Sequence, residues 1–371
     1  MKRLRVLFLI DKAVDNGGAE RFAVGLATHL PRDRFKVWMC STREADPPVL
    51  RALAEADVTH VHLGRRAKWD VHRFAPLVSL LRRERIDMLH AHMFGSNLWG
   101  TLIGRACRVP ILLAHEQTWS YQGEPLRRWT DGHVIGRIAT RFVAVSTADA
   151  RRMVTIEGVP AEKVVMIPNA YVPRPGAPNG NLRDELGIDE LTPLTTVVSV
   201  LRPQKALWVL LEAHARVLDA IPDAHLAIAG DGPCREFLER RAGELGLDGH
   251  VHFLGYRRDI DSILRATDVA AMSSDYEGTP LVAFECMANR TPLVATAVGG
   301  LPDIVENGRT GLLVAPREPG ALADALISLL EDRALGEQLA AAAADRAGEF
   351  TIEAIAARFV ALYELLASEA S

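Results

Sequence analysis

Two carboxylates, Glu277 and Glu285, stand eight positions apart in the stretch SSDYEGTPLVAFECMANRTPLVATAVGG, Ser273 to Gly300. Thr279 reads as a helix N-cap and Pro280 as the first helical residue of a segment running from Leu281 to Asn289. The unpaired amides near Leu281 and Val282 would then attract an anion. Glu277 would lie in the loop before this helix and Glu285 about one and a half turns inside it, roughly 7–8 Å further along. The pair would flank a phosphate held at the helix start. A carboxylate accepts two hydroxyl hydrogen bonds, so each suits a vicinal diol. A ribose and a hexose joined through a diphosphate satisfy both, which is the shape of a sugar nucleotide. The competing reading is one solvated glutamate and one structural one.

Other stretches supply matching chemistry. Arg202 and Lys205 follow the apolar run Thr195–Leu201 and open a helix. Cations there oppose the helix dipole but are well placed to hold a diphosphate. Gly17-Gly18 precede an amphipathic segment, where backbone amides approach a phosphate closely, although G-x-G-x-x-G is absent. Gly230-Asp231 and Gly255-Tyr256 each close a strand, where a nucleotide could lie. Each of these turns also fits a plain reversal of the chain. His90 and His92 end one strand and His115 another. Buried, hydrogen-bonded histidine is the ordinary role for such residues. His-x-His also suits a metal, but no carboxylate or cysteine set completes a site in the sequence, so no metal is expected. The Asp259–Asp261 triplet DID reads as a helix cap rather than as a metal motif.

These residues need two scaffolds to position them. Short β-rich runs alternate with helical patterns in the first half: Leu4–Ile10, Phe35–Cys40, Val58–His62, Ile86–Ala91, Ile111–Ala114, Phe142–Val145 and Val164–Ile167. The alternation resumes at Thr195–Leu201, His225–Ala229, Val251–Leu254, Val269–Met272 and Pro292–Ala295, and the chain is helical from Gly320. This is the pattern of parallel sheets covered by helices on both faces. Three prolines and three glycines within Val172–Gly187 mark a linker. The expected divisions are 1–172, a linker 173–192, and a second domain 193–350. Ligands of such folds bind at the carboxyl ends of the strands, so two facing sheets would form a cleft.

The chain has 371 residues, enough for two cores. Its four cysteines have neither disulfide nor metal-ligand spacing, which suits a reducing compartment. The opening MKRLRVLFLIDK has a five-residue apolar run, too short for a secretory core, and reads as a buried strand. Residues 1–172 hold 26 Lys+Arg against 17 Asp+Glu, and the remainder 17 against 30, giving +9 and −13. A positive first half suits an anionic partner. The net charge of −4 and the lack of an aromatic-basic motif give a nucleic-acid role little support, and none is expected.

Together these blocks resemble the family-4 retaining glycosyltransferases of GT-B fold. YEGTPLVAFECMA followed by PLVATAVGGLPDIVENGRTGLLV is similar to that family's E-x7-E signature and Gly-Gly turn. GGAERF is similar to its N-terminal glycine loop, and IPNAYV, LRPQKA and AGDGP to further blocks in the same order. The resemblance spans nearly the whole chain. It implies an α/β fold of two Rossmann-like, doubly wound domains facing across a cleft. The first domain would bind the acceptor and the second the nucleotide sugar, and a C-terminal helix, 351–371, would return toward the first.

By the same resemblance Glu285 would bind the donor ribose and Glu277 the hydroxyls of the donor sugar. The backbone from Gly278 through Thr279, Pro280 and Leu281 to Val282 would hold the diphosphate with Arg202, Lys205 and the Gly18 amide. His115 would face the donor sugar. The chain departs from the family at Ser199-Val200-Leu201, where Gly-Arg-Leu is frequent and the arginine is displaced to Arg202; Ala206 replaces a frequent glycine.

The implied activity is transfer of a sugar, from a UDP-sugar by preference, to an acceptor hydroxyl with retention of configuration. The pathway would be that of an envelope polysaccharide, glycolipid or glycoconjugate. No metal or other cofactor is implied. The acceptor would be a glycan, lipid or small molecule. The protein would be cytoplasmic, with a peripheral inner-membrane contact through Arg65, Arg66, Lys68, Trp69, Arg73, Arg82, Arg83 and Arg85. A sugar-nucleotide epimerase of similar architecture and a non-catalytic nucleotide-sugar-binding subunit are the rival readings.

Overall fold

A computed structural model describes residues 3–15, 17–67, 70–117, 124–173 and 180–370. Lys68 and Trp69 of the basic segment, and 174–179 of the expected linker, lie outside these. The chain forms two compact units, 1–172 together with 350–371, and 173–349.

In the first unit seven strands form one parallel sheet: β1 (Leu4–Ala13), β2 (Phe35–Ala45), β3 (Val58–His62), β4 (Met88–His92), β5 (Ile111–His115), β6 (Arg141–Ala144) and β7 (Val164–Met166). Their order is β3-β2-β1-β4-β5-β6-β7, so the winding direction reverses between β1 and β4. Central strands of such sheets are covered on both faces, and β4 and β5 are buried throughout. Side chains alternate along β1. Val6, Phe8 and Ile10 pack with Phe22 and Leu26 of the helix Gly18–His29 and with Phe359 and Tyr363. Leu7 and Leu9 join Leu77, Leu80 and Leu81 in a separate cluster. Each such side chain contributes roughly 1.5–3 kcal/mol by leaving water.

Phe359 and Tyr363 belong to the C-terminal helix Ile352–Glu369, capped by the Thr351 hydroxyl, which accepts from the Ala354 amide at 3.2 Å. The Tyr171 amide donates to the Phe350 carbonyl at 2.7 Å, tying the start of this helix to the end of the first 172 residues.

The second unit holds β8 (Leu194–Val198), β9 (His225–Ala229), β10 (Val251–Gly255), β11 (Val269–Met272), β12 (Leu293–Thr296) and β13 (Leu312–Val314), again all parallel. The order β10-β9-β8-β11-β12-β13 places its switch between β8 and β11. The helices Leu207–Ala220 and Pro319–Glu331 pack together over the sheet through Leu207, Leu210, Leu211, Leu322 and Leu326. One difference from the sequence reading lies in the expected linker. Leu182–Leu186 forms a short helix with Asn181 as its cap. Its Arg183 is buried and donates to Asp268 at 2.8 Å and to the carbonyls of Asp189 and Thr192, both at 2.8 Å. A buried guanidinium is stable only when paired, and this pairing fastens the segment to the second unit before residue 193.

Candidate functional site

The loops leaving β8, β9, β11 and β12 interlock. After β8 the chain turns through Ser199–Leu201 into a single 3-10 turn, Pro203–Lys205. The Leu201 amide donates to the Asp231 carbonyl at 3.0 Å, which brings Gly230 and Asp231 alongside. Gly230 has φ +149°, and a Cβ there would meet the Ser199 carbonyl oxygen at 1.8 Å, so only glycine allows this approach. Its amide donates to the Gly255 carbonyl at 2.8 Å. After β11, the Asp275 amide donates to the Gln204 carbonyl at 2.8 Å and the Ser273 hydroxyl to the Lys205 carbonyl at 2.9 Å. After β12, the Gly300 amide donates to the Gly278 carbonyl at 2.7 Å. Gly299, at φ +57°, passes so close that a Cβ would lie 1.9 Å from the Glu277 carbonyl oxygen.

This knitting places Lys205 and Glu277 together at the switch between β8 and β11. The Lys205 ammonium lies 2.5 Å from Glu277 Oε1, and the same oxygen accepts from the Ser274 hydroxyl at 2.6 Å. Glu277 is 5% exposed and Glu285 1%, the latter on the buried face of the helix Leu281–Asn289. That helix begins one residue later than expected. Pro280, not Thr279, holds the cap position, and no side chain caps it. A proline brings no side-chain oxygen of its own to the amides at the helix start, which suits an incoming anion.

Arg202 is exposed at the turn before Lys205. Burial and the charges of Asp275 and Glu277 push the Tyr276 phenol up, and Arg202 opposes them, so its charge acts on the same loop. Arg317 clamps Asp275 with bonds of 2.9 and 2.8 Å. Tyr256 is half exposed beyond Gly255. Asp259 does hold a cap position, but its carboxylate pairs with Arg257 at 2.8 and 2.6 Å and makes no cap bond to the helix. Asp261 accepts from Asn289.

The first unit holds the remaining expected residues. Gly17 is the N-cap of the helix Gly18–His29 and Gly18 its first residue, beyond the end of β1. His115 ends β5 and pairs in register with His92 of β4. His90, His92 and His115 are all buried, and one ring nitrogen from each lies within 4.8 Å of the others. His115 thus supplies a third imidazole that the sequence reading did not place beside His90 and His92. Burial, with neighbouring histidines adding to it for His90 and His115, drives all three well below the usual imidazole range, His92 to about 3. Asn97 grips the His115 backbone, its amide donating to the carbonyl and its oxygen accepting from the N–H, each at 3.1 Å. Asn97, Ser274 and Arg317 carry no motif, and their roles follow only from the fold. Of the basic segment, Arg65 is buried with its guanidinium 4.5 Å from the Phe74 ring, and Arg66, Arg73, Arg82, Arg83 and Arg85 are exposed.

Comparison with known proteins agrees with this geometry. The model described as Glycosyltransferase Family 4 matches residues 16–173, and the one described as Glycosyl transferases group 1 matches residues 179–346. The D-inositol 3-phosphate glycosyltransferase of Corynebacterium glutamicum (strain R) is 29% identical over 94% of this chain and 92% of its own length. The protein of that name from Mycobacterium bovis (strain BCG / Pasteur 1173P2) is 31% identical over 91% of this chain and 77% of its own. Among solved structures, Anabaena Alr3699/HepE in complex with UDP-glucose superposes with a TM-score of 0.82 at 24% identity, covering 98% of this chain and 100% of that one. With both halves matched and a curated relative above 30% identity across nearly all of it, the chain belongs to glycosyltransferase family 4 and is a glycosyltransferase of the GT-B fold.

Proposed function

We propose that this enzyme moves a sugar from a nucleotide diphosphate sugar, a UDP-sugar by preference, to an acceptor hydroxyl with retention at the anomeric carbon. The observation that carries the reading is the Lys205–Glu277 pair at the switch between β8 and β11, 2.5 Å apart and steadied by Ser274. Sheets of this winding take ligands at that crevice. A diphosphate would draw the Lys205 ammonium to itself and leave Glu277 to accept sugar hydroxyls. UDP is favoured because the Anabaena neighbour was solved in complex with UDP-glucose.

Breaking the anomeric bond builds positive charge on the sugar and negative charge on the leaving diphosphate. Lys205, Arg202 and the amides opening the helix Leu281–Asn289 are preformed donors for the second, and the reading calls for no metal. In a front-face substitution the anomeric carbon–oxygen bond to phosphate breaks while the bond to the acceptor oxygen forms on the same face. The acceptor proton passes to the departing phosphate oxygen. A covalent sugar trapped on Glu277 would overturn this course.

A thermal-shift panel of UDP-, GDP-, ADP- and dTDP-sugars tests the donor. At a hundred times its Kd the true ligand stabilises by about 2.7 kcal/mol, or about 5–10 °C for a unit of this size. The UDP-sugars should give the largest rise, and no rise with any of the four would sink the reading. Incubating the stabilising donor alone should yield no epimer, whereas an epimer formed without acceptor would favour the epimerase reading.

The first unit is proposed to take the acceptor, with an envelope polysaccharide, glycolipid or glycoconjugate as the product. Relatives named for D-inositol 3-phosphate act on an anionic compound, and the exposed Arg66, Arg73, Arg82, Arg83 and Arg85 suit an anionic acceptor or surface. Among the described residues no helix is long and apolar enough to cross a membrane. Vesicles rich in anionic lipid should carry the protein up a flotation gradient at low salt and release it at high salt. Lack of flotation at low salt removes the membrane contact.

A further inference from the structure

Behind His115 lies a chain of hydrogen bonds that ends on the C-terminal helix. The Tyr363 hydroxyl is 2.6 Å from His90 Nδ1, and His90 Nε2 is 3.2 Å from His115 Nδ1. The Gln117 side-chain amide then lies 3.4 Å from His115 Nε2 and 3.3 Å from His92 Nδ1. The His90 and His115 ring planes are parallel to within 3°, with centroids 5.3 Å apart. The nitrogen separation is shorter than this by about two ring radii, so the rings meet edge to edge along one N–H···N line. Two imidazoles sharing a metal would instead aim their lone pairs at a common point off that line. Among the described residues no carboxylate joins the cluster.

Only two proton arrangements satisfy this chain, because a neutral imidazole carries one N–H. In one, protons run outward: Tyr363 donates to His90, His90 Nε2–H donates to His115 Nδ1, and His115 Nε2–H donates to the Gln117 oxygen once that amide is turned over. His92 Nδ1–H donates to the same oxygen. The buried ring nitrogen of His92 that has no partner among the described residues, Nε2, is then a lone pair. In the other arrangement every bond reverses. The Tyr363 hydroxyl and His92 Nε2–H then become two buried donors with nothing to receive them, since His90 is the phenol's one partner among the described residues. Orphaned buried donors are the costlier defect, at about 1–3 kcal/mol each. The amide orientation of Gln117 follows from the same accounting.

We infer that Tyr363 and His90 are positioning residues that lock His115 as its Nε2–H tautomer, so that His115 serves as a hydrogen-bond donor to a sugar oxygen and never as a base. Gln117 holds the place of that oxygen. The inference rests on the proposed role of His115 as a sugar contact. It assigns the proton and names the two residues that set it.

The test is 15N NMR of the imidazoles in the full-length enzyme, which reads tautomers directly. In the wild type, His115 should carry its proton on Nε2, with Nδ1 unprotonated. Tyr363→Phe removes the outermost donor and should bring the two His115 tautomers toward equal populations. It should also lower kcat for the donor identified by the panel by about tenfold, the scale of one lost hydrogen bond, at nearly constant KM. A wild-type His115 protonated on Nδ1 overturns the relay, even if no variant folds. So does a Tyr363→Phe enzyme whose His115 keeps Nε2–H throughout, or one zinc per chain bound by these rings. His115→Asn with unimpaired transfer would instead sink the sugar-contact reading while leaving the measured tautomer standing, so the two failures are separable.

Discussion

Glu277→Ala is expected to lower kcat/KM for sugar transfer by about 10²- to 10³-fold, with the second unit still folded. The loss is of the size seen when one preorganised polar group is removed from a charge-developing site. Lys205→Ala should cost as much in turnover but behave differently in the absence of donor. It leaves the Glu277 carboxylate, 5% exposed, with the Ser274 hydroxyl as the remaining partner of Oε1 among the described residues. A buried charge that loses its partner is costly, so the melting temperature of Lys205→Ala should fall below that of Glu277→Ala, and the double variant should recover part of the difference. A double-mutant cycle in stability and in kcat/KM checks both statements. Glu277→Ala with wild-type turnover would remove the proposed role of the pair and favour a non-catalytic binding protein.

Acid should unfold both units, beginning where free histidine protonates. His92 in the first unit is pushed down to about 3 and His214 in the second to about 4, in both cases chiefly by burial. Groups lowered on folding contribute stability that is complete above the unfolded value near 6.5. That stability is lost as pH falls toward the folded value. At pH 5 each of these two residues alone costs about 2 kcal/mol, against a whole stability of about 5–15 kcal/mol. His90 and His115 are shifted in the same direction and add to the loss in the first unit. Urea midpoints should therefore fall steadily from pH 7 to pH 5, and a flat midpoint over that range would contradict the burial of these rings. His214 allows a sharper test. Both ring nitrogens of this residue, in the helix Leu207–Ala220, are buried without hydrogen-bond partners among the described residues, and His225, His250 and His252 lower it further. His214→Leu should raise the stability of the second unit by about 1–3 kcal/mol and flatten its acid slope.

Much of the scaffold was legible because parallel strands buried on both faces leave compact apolar runs. Val58–His62, His225–Ala229 and Val269–Met272 have the bounds read from the sequence. β13 was not, since three residues, Leu312–Val314, give too short a period to read. The helix Leu182–Leu186 was hidden among prolines and glycines, and it is held by Arg183, whose partner Asp268 is 85 positions away. Thr279 looked like a cap by residue type alone, but the loop brings Pro280 to that position. Glu277, Lys205 and Gly230 were legible as strand-end residues of the right chemistry. The Tyr363–His90 contact was not, because it joins residues 273 positions apart and Tyr363 belongs to no motif.

The return of Ile352–Glu369 to the first unit also sets an order of events during synthesis. Residues 173–349 leave the ribosome as a complete folding unit, while the first 172 still lack Phe359 and Tyr363 from their core. The earliest-made half is thus the last to close, and until the final helix arrives the ring of Phe22 has no Phe359 beside it. A nascent chain of this enzyme carries an unfinished apolar seam for the whole time its second half is being translated.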